Sequence, residues 1–383
     1  MRILLAHSFY RVPGGEDAYV RTQMDLLGSR HAVELIGPVN ESLSKAQAIH
    51  RLVHSGNTTA EVEAAIERFR PDVVHLHNPY PALGPSVHLA ARRRGVPLAM
   101  TVHNVRLRCP NGLMFTEGEL CRRCEKGVYA HALLHRCFPT RGQAAAYASA
   151  LWLHRFVLRT DSAVAMFLPP SRFLGGRLRD WGIAPERIEV VPHCVAPAAD
   201  PERPPGTYGL YLGRLSNEKG VDVLLRALAA AGDPPFRIAG AGPAEERLRR
   251  ESSALGLRRT TLLGLVARED VPELLAGSRY VVVPSIWEET LSLSALEAMS
   301  AGRAVIATRR GGLSELVEDG RGLAVEPGDD RSLSEAIATL ARDDDLCKSL
   351  GAAARRFVEA KHTPSAHLER LESAYVRLLG TAS

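Results

Sequence analysis

The chemistry of this chain is most concentrated in the stretch PSIWEETLSLSALEAMSAG, Pro284 to Gly302, where Glu289 and Glu297 stand eight positions apart around alternating Ser and Leu. YVVVPS before it reads as a buried strand. LSALEAMSAG reads as a helix that starts near Ser292–Ser294 and closes on Gly302. A helix N-terminus presents unbonded N–H groups and partial positive charge, so the backbone around Ser292 and Leu293 is a candidate phosphate site. Glu297 falls in the expected first turn, where Ser294-x-x-Glu297 also matches a capping box. Glu289 falls in the loop, where capping gives it no role. Two carboxylates beside a phosphate repel it unless they hold hydroxyls, and a diphosphate with hydroxyls describes a sugar nucleotide.

Other stretches offer further groups. GRLSNEKG places Gly213 and Arg214 at a strand end and Lys219–Gly220 before a helix. Arg supplies a planar fork of donors and Lys a mobile point charge, although Lys219 could pair with Glu218 instead. AGAGPAEERL begins like a dinucleotide fingerprint but has Glu245 where the third glycine belongs. That weakens a dehydrogenase reading and leaves a tight strand–helix turn at Gly242–Pro243. In the first half, YRVPGGEDAYV puts Gly14–Gly15 after the opening strand, where bare backbone can approach a diphosphate. TVHN ends another strand with His103.

Four of the six cysteines fall together: Cys109, then Cys121-Arg-Arg-Cys124, then Cys137. A Cys-x-x-Cys knuckle flanked by single cysteines can gather four thiolates around zinc. The segment is rich in turn residues and poor in apolar pattern, which is where a structural metal supplies folding energy. His103, His131 or His135 could replace one ligand. Unligated thiols are the alternative, and a disulfide is disfavoured in a reducing compartment.

The elements that position these groups follow from composition and period. A chain of 383 residues, 45% hydrophobic and 24% charged, is expected to form two domains. It has no apolar run long enough to span a membrane. MRILLAHSFY reads as a first strand rather than an export signal, so the expected compartment is the cytoplasm, with peripheral contact at the inner membrane face. RILLAH, AVELIG, DVVHLHN, LAMTVHN, SAVAMFL and IEVVPHC read as buried strands between helices, and GLYLGRL, PFRIAGAG, TTLLGLV, YVVVPS, RAVIAT and GLAVEPGD repeat the pattern. Such alternation predicts an α/β chain with two Rossmann-like, doubly wound parallel sheets facing a cleft, with ligands at the carboxyl ends of the strands. The proline-rich VAPAADPERPPGTYG reads as a linker. The expected domains are 1–198 and 199–364. A helix over 365–383 carries Leu368, Leu371, Tyr375, Leu378 and Leu379 on one face. Residues 1–195 hold 24 Lys and Arg against 16 Asp and Glu, while residues 196–383 hold 24 against 27. A basic first half suits a phosphorylated or membrane-surface partner. Scattered basic residues with few aromatics among them argue against nucleic acid.

Together these stretches resemble the family-4 retaining glycosyltransferases of the GT-B fold over nearly the whole chain. The matching segments are GGED, PDVVHLHNPYP, TVHNVRLRCPNG, GRLSNEKG, GAGP, PSIWEETLSLSALEAMSAG and GGLSELVEDGRGLAVEPGD. The resemblance implies that Arg214 and Lys219 hold the donor diphosphate, that Glu289 and His103 contact the sugar, and that Glu297 binds ribose hydroxyls. Gly15, beside Gly14, would approach the diphosphate, and Gly242, Pro243 and Val266 would border the base. Ser292 stands where the family usually has Gly. The implied reaction moves a hexosyl or N-acetylhexosaminyl group, from a UDP-sugar in the favoured reading, to a saccharide, lipid-linked or natural-product hydroxyl. Anomeric configuration is retained. No catalytic metal is expected, because Asp343–Asp345 lies in a terminal helical region. The zinc would be structural, since the transfer needs no activated water. A GT-B epimerase acting without an acceptor, or a non-catalytic sugar-nucleotide-binding protein, are the alternatives. Oligomeric state is left open.

Overall fold

The computed structural model describes residues 1–10, 14–37, 45–53, 56–199 and 203–380. Arg11–Pro13 and Asp200–Glu202, parts of two stretches named above, lie outside the described residues, as does the end of the tail beyond residue 380. The chain divides into two compact units. One is Met1–Val191 with Leu368–Ser383, and the other is Pro192–His367.

The first unit is built on strands β1 (Arg2–Ala6), β2 (Ala32–Ile36), β3 (Val73–Leu76) and β4 (Leu98–Thr101), a two-stranded hairpin of β5 (Phe115–Thr116) and β6 (Glu119–Leu120), and β7 (Met166–Leu168). The main sheet has the order β2-β1-β3-β4-β7 and is wholly parallel. Its strands are apolar at successive positions because both faces are covered. Leu4, Ala6, Val74, Leu76 and Met100 enter one core with Val62, Ile66 and Val87. Ile3, Leu5, Val73, Ala99 and Leu168 enter the other with Leu368, Leu371, Tyr375 and Leu378 of helix Pro364–Gly380. The terminal helix therefore completes the first unit. IEVVPHC is not a strand: only Ile188 bridges, to Phe167. Glu189 and Val191 donate to Phe167 and Pro169, but Pro192 has no N–H to continue the ladder.

The second unit holds β8 (Tyr208–Leu212), β9 (Phe236–Ala239), β10 (Thr260–Gly264), β11 (Ser278–Val283), β12 (Ala304–Thr308) and β13 (Leu323–Val325). They are parallel in the order β10-β9-β8-β11-β12-β13. Succession reverses between β8 and β11 here, and between β1 and β3 in the first unit. Such switch points open a crevice beyond the strand ends.

The boundary falls between Val191 and Pro192 rather than at 198/199, and the proline-rich stretch belongs to the second unit. The reason is hydrogen bonding. The Ala198 amide donates to Ser300 Oγ at 3.2 Å, and that hydroxyl donates to Ala196 O at 3.1 Å. Arg303, 1% exposed, donates to Arg203 O at 2.6 Å and to Pro204 O at 2.9 Å. Among the described residues no helix is long and apolar enough to cross a membrane.

Candidate active site

At the switch point of the second unit, β8 runs into Gly213–Ser216, a single 3-10 turn (Asn217–Lys219) and helix Val221–Ala230. β11 runs into residues 284–291 and helix Leu293–Ser300. The two loops are joined by a bond from Ile286 N to Glu218 O at 3.0 Å. Gly220 has φ +67°, and a Cβ there would lie 2.2 Å from Pro284 O, so only glycine allows this approach. From the other side Thr308 Oγ1 donates to Ser285 O at 2.7 Å, and Gly312 N donates to Glu289 O at 2.7 Å.

That frame fixes Glu289, which is 5% exposed. Its Oε1 accepts from Lys219 Nζ at 2.7 Å and from Ser285 Oγ at 2.5 Å. The Lys219 ammonium also lies 5.3 Å from the Trp287 ring centroid, over its face. Arg214, not Lys219, pairs with Glu218: its Nη2 donates to Oε1 at 3.2 Å, and its Nε reaches Ser216 Oγ at 3.3 Å. Tyr211 donates to Arg214 O at 2.8 Å, and burial beside Glu289 and Glu218 holds its hydroxyl well above the usual range, fully protonated. Sequence reasoning missed Tyr211, because an aromatic residue inside a strand reads as core.

The helix after Glu289 begins two residues earlier than the capping-box reading requires. Ser292 is its N-cap and accepts from Ala295 N at 3.3 Å, while Leu293 and Ser294 are already helical. Glu297 therefore lies past the cap and makes no capping box. Its Oε1 accepts from Arg268 Nη2 at 2.6 Å, and burial raises its pKa against that cation. The glycines of AGAGP serve the chain itself. A Cβ at Gly242 would stand 2.2 Å from Leu215 O, and one at Gly240 1.8 Å from Gly213 O. Pro243 is exposed, and Val266 follows β10 against the core of the second unit. Asp343, singled out with the acidic run, caps helix Asp344–Lys361 by accepting from Leu346 N at 2.8 Å.

In the first unit Gly14 caps helix Gly15–Gly28, and its N–H donates to Asp17 Oδ2 at 3.0 Å. A Cβ on Gly14 would meet nothing within 4 Å. Asp17 Oδ1 accepts from Tyr10 N at 3.2 Å and lies 2.8 Å from His7 Nε2. Next to them Tyr10 Oη donates to Glu16 at 3.0 Å, and burial pushes Glu16 up to about 7. His103 Nε2 is 2.9 Å from His77 Nδ1, and His77 stacks on His75 with ring centroids 4.5 Å apart. Burial, with His7 and His75 nearby, lowers His103 well below an ordinary histidine, so it is neutral and one ring nitrogen keeps a proton to donate. The His75-x-His77 spacing along a strand was the available signal, since alternate residues share a face.

Cys109, Cys121, Cys124, Cys137 and His131 line one small cavity. Among the described residues no three His, Cys, Asp or Glu side chains yet stand close enough to hold a metal ion. His103 belongs to the histidine stack, and His135 Nδ1 lies 3.3 Å from Glu117.

Two parallel, doubly wound units with a terminal helix returned to the first define a GT-B architecture. The chain belongs to the family-4 glycosyltransferases. Residues 31–194 match the glycosyl transferase 4-like domain, and residues 200–357 match glycosyl transferases group 1. The D-inositol 3-phosphate glycosyltransferase of Rhodococcus opacus is 30% identical over 337 residues, 80% of this chain and 68% of that one. The alpha-D-kanosaminyltransferase of Streptomyces kanamyceticus is 34% identical over 172 residues, 43% of this chain and 44% of the relative, so that match spans less than half of the enzyme. Among solved structures, the glycosyltransferase of Rickettsia africae superposes with a TM-score of 0.71 at 18% identity, covering 99% of this chain and 98% of that one. Anabaena HepE, solved with UDP-glucose, gives 0.70 at 20% identity over 98% of this chain and 99% of HepE.

Proposed function

We propose that the chain is a retaining glycosyltransferase that takes a hexosyl or N-acetylhexosaminyl group from a nucleotide-diphosphate sugar, UDP-linked in the favoured reading. The acceptor is a hydroxyl of a saccharide, lipid-linked or natural-product core. The observation that carries this is the ion pair of buried Glu289 with half-buried Lys219 at the switch point, 2.7 Å apart. A buried ion pair contributes little stability by itself, so its retention beside a strand-end crevice points to a ligand. In this reading Lys219 and Arg214 take the diphosphate, the helix N-terminus at Ser292–Leu293 adds its amides, and Glu289 turns its second oxygen to sugar hydroxyls. Glu297 exchanges Arg268 for the ribose, with Gly242, Pro243 and Val266 bordering the base. His103, neutral, donates to the sugar, and Gly14–Gly15 offer bare backbone to the diphosphate.

Transfer breaks the bond from the anomeric carbon to the β-phosphate oxygen and forms one to the acceptor oxygen. The acceptor proton passes to the departing diphosphate, and the oxocarbenium-like state between is the charge to be stabilised. Fixed cations and amides supply that stabilisation, so the reading assigns no catalytic metal. HepE has been solved with UDP-glucose, and the relatives are named for kanosaminyl transfer and for inositol 3-phosphate, which supports a UDP-sugar and a small polyhydroxylated acceptor. Exposed Trp152, Phe156 and Val157 support peripheral contact with a membrane surface. A screen of UDP- and GDP-sugars should show one donor slowly hydrolysed, with turnover rising once an acceptor is present. Isomerised donor without transfer, or no binding of any donor, would overturn the proposal.

A further inference from the structure

The segment between β4 and helix Arg141–Trp152 brings Cys109, Cys121, Cys124 and Cys137 to one place from separate turns. Cys109-Pro-Asn-Gly112 and Cys124-Glu-Lys-Gly127 are built alike. In each, the glycine N–H donates to the cysteine carbonyl at 2.9 Å, and the glycine holds a positive φ, +76° and +94°. Cys121 follows β6, with its amide bonded to Met114 O at 2.7 Å. Cys137 follows the short helix His131–Leu134.

The cavity they line is about 10 Å³, room for a single water-sized sphere and too small for an organic ligand. Its wall is soft in the chemical sense, with four cysteines, Met114 and one imidazole. His131 Nδ1 is buried there without a hydrogen-bond partner among the described residues. Arg108 and Arg122 line the cavity, and Arg123 Nη1 donates to Cys121 Sγ at 3.5 Å. Four cysteine sulfurs and an unpartnered ring nitrogen around a space of atomic size are the donor set of a soft metal ion. The local apolar cluster is small, with Tyr129, Ala132, Ala148 and Leu151 around Cys124.

We propose that Cys109, Cys121, Cys124 and Cys137 bind one zinc ion as a structural tetrathiolate site, with His131 beside it. Binding releases four thiol protons and leaves a net charge of −2 on the ion and its sulfurs, which Arg122 and Arg123 offset, Arg108 being paired with Asp161 at 2.7 Å. The sulfurs must draw together: Cys109 Sγ now donates to Asn111 Oδ1 at 2.9 Å and turns inward to a Zn–S distance of about 2.3 Å. Soft sulfur donors select zinc over magnesium or calcium. Four protein ligands leave no open position, so the ion pins the loop that follows His103 and takes no part in bond making.

The test uses the full chain purified without a histidine tag. Metal analysis should find about one zinc per chain. After stripping with a chelator, titration with Co²⁺ should give the thiolate charge-transfer band and the intense d–d absorption of a tetrahedral site. Should the stripped chain unfold, refolding it with Co²⁺ reads the same spectrum. Cys121→Ser and Cys137→Ser should each weaken Co²⁺ affinity at least tenfold, while Cys347→Ser, in the second unit, leaves the spectrum unchanged. Absence of zinc, no cobalt spectrum by either route, and cluster thiols that react with a thiol reagent in the folded chain would overturn the site.

Discussion

Glu289 is buried, yet its Oε1 accepts from both a lysine and a serine, and its backbone is pinned by Gly312. Glu289→Gln keeps the shape and removes the charge. The fold should persist while turnover falls ~10²-fold or more, the scale for one oriented transition-state contact. Steady-state rates at saturating donor check this, and near-normal turnover in a folded variant would sink the assignment. Lys219→Ala strands the buried carboxylate, so it should weaken donor binding, slow transfer and cost about 3 kcal/mol of stability. Calorimetric titration with UDP and a urea melt measure the two effects. Glu16 supplies a pH signature. Burial raises it from 4.5 to about 7, so the folded state holds this proton more tightly than the unfolded chain does. Stability then falls as pH rises from about 4.5 through 7. Glu16→Gln should flatten that slope and add ~1–2 kcal/mol at pH 8, after allowance for its partial exposure. Equal pH dependence of the two proteins in urea melts at pH 5 and pH 8 would refute it. Glu289 was legible in the sequence because a loop carboxylate with no capping role needs another reason to exist. Tyr211 and Asp17 were not, since their partners are set by how a loop turns.

The strands were legible for a different reason. Burial on both faces writes itself as a short apolar run, whatever the strand order. Two elements defeated that rule, each through hydrogen bonding. IEVVPHC has the right hydrophobicity, but Pro192 cannot donate, so the bonds from Glu189 and Val191 go no further and only Ile188 forms a bridge. The proline-rich stretch has the composition of a linker, but composition does not reveal whether its carbonyls find a donor. Arg303 provides one. Its guanidinium reaches Arg203 O, Pro204 O, Ser278 O and Ala301 O from a position that reads as an ordinary charged residue before a strand. Arg303→Met fills the same space without donors and should destabilise the second unit by ~3–5 kcal/mol, because buried carbonyls lose their partners. Hydrogen exchange should rise across residues 203–209 in the variant. Protection that stays at the level of the unaltered protein would show that the stretch is held by other means.

At the scale of the molecule, each unit keeps one main parallel sheet with a core on each face and one switch point, but only the second is continuous in sequence. The first needs its last piece from the far end of the chain, where Leu368, Leu371, Tyr375 and Leu378 close the core around Ile3, Leu5 and Val73. A chain ended after His367 should therefore keep a folded second unit while the first binds a hydrophobic dye and aggregates. A peptide of residues 364–380 added in trans should reverse this. Full solubility of the shortened chain without dye binding would count against the role given to that helix.

The same feature imposes an order on synthesis. Residues leave the ribosome from Met1 onward, yet the half begun first is the half finished last. At roughly 5–20 residues per second, an apolar face complete by Val191 waits about 10–40 s for Leu378. During that interval the later half can fold in full. The nascent protein thus carries an open hydrophobic surface for about half of its translation.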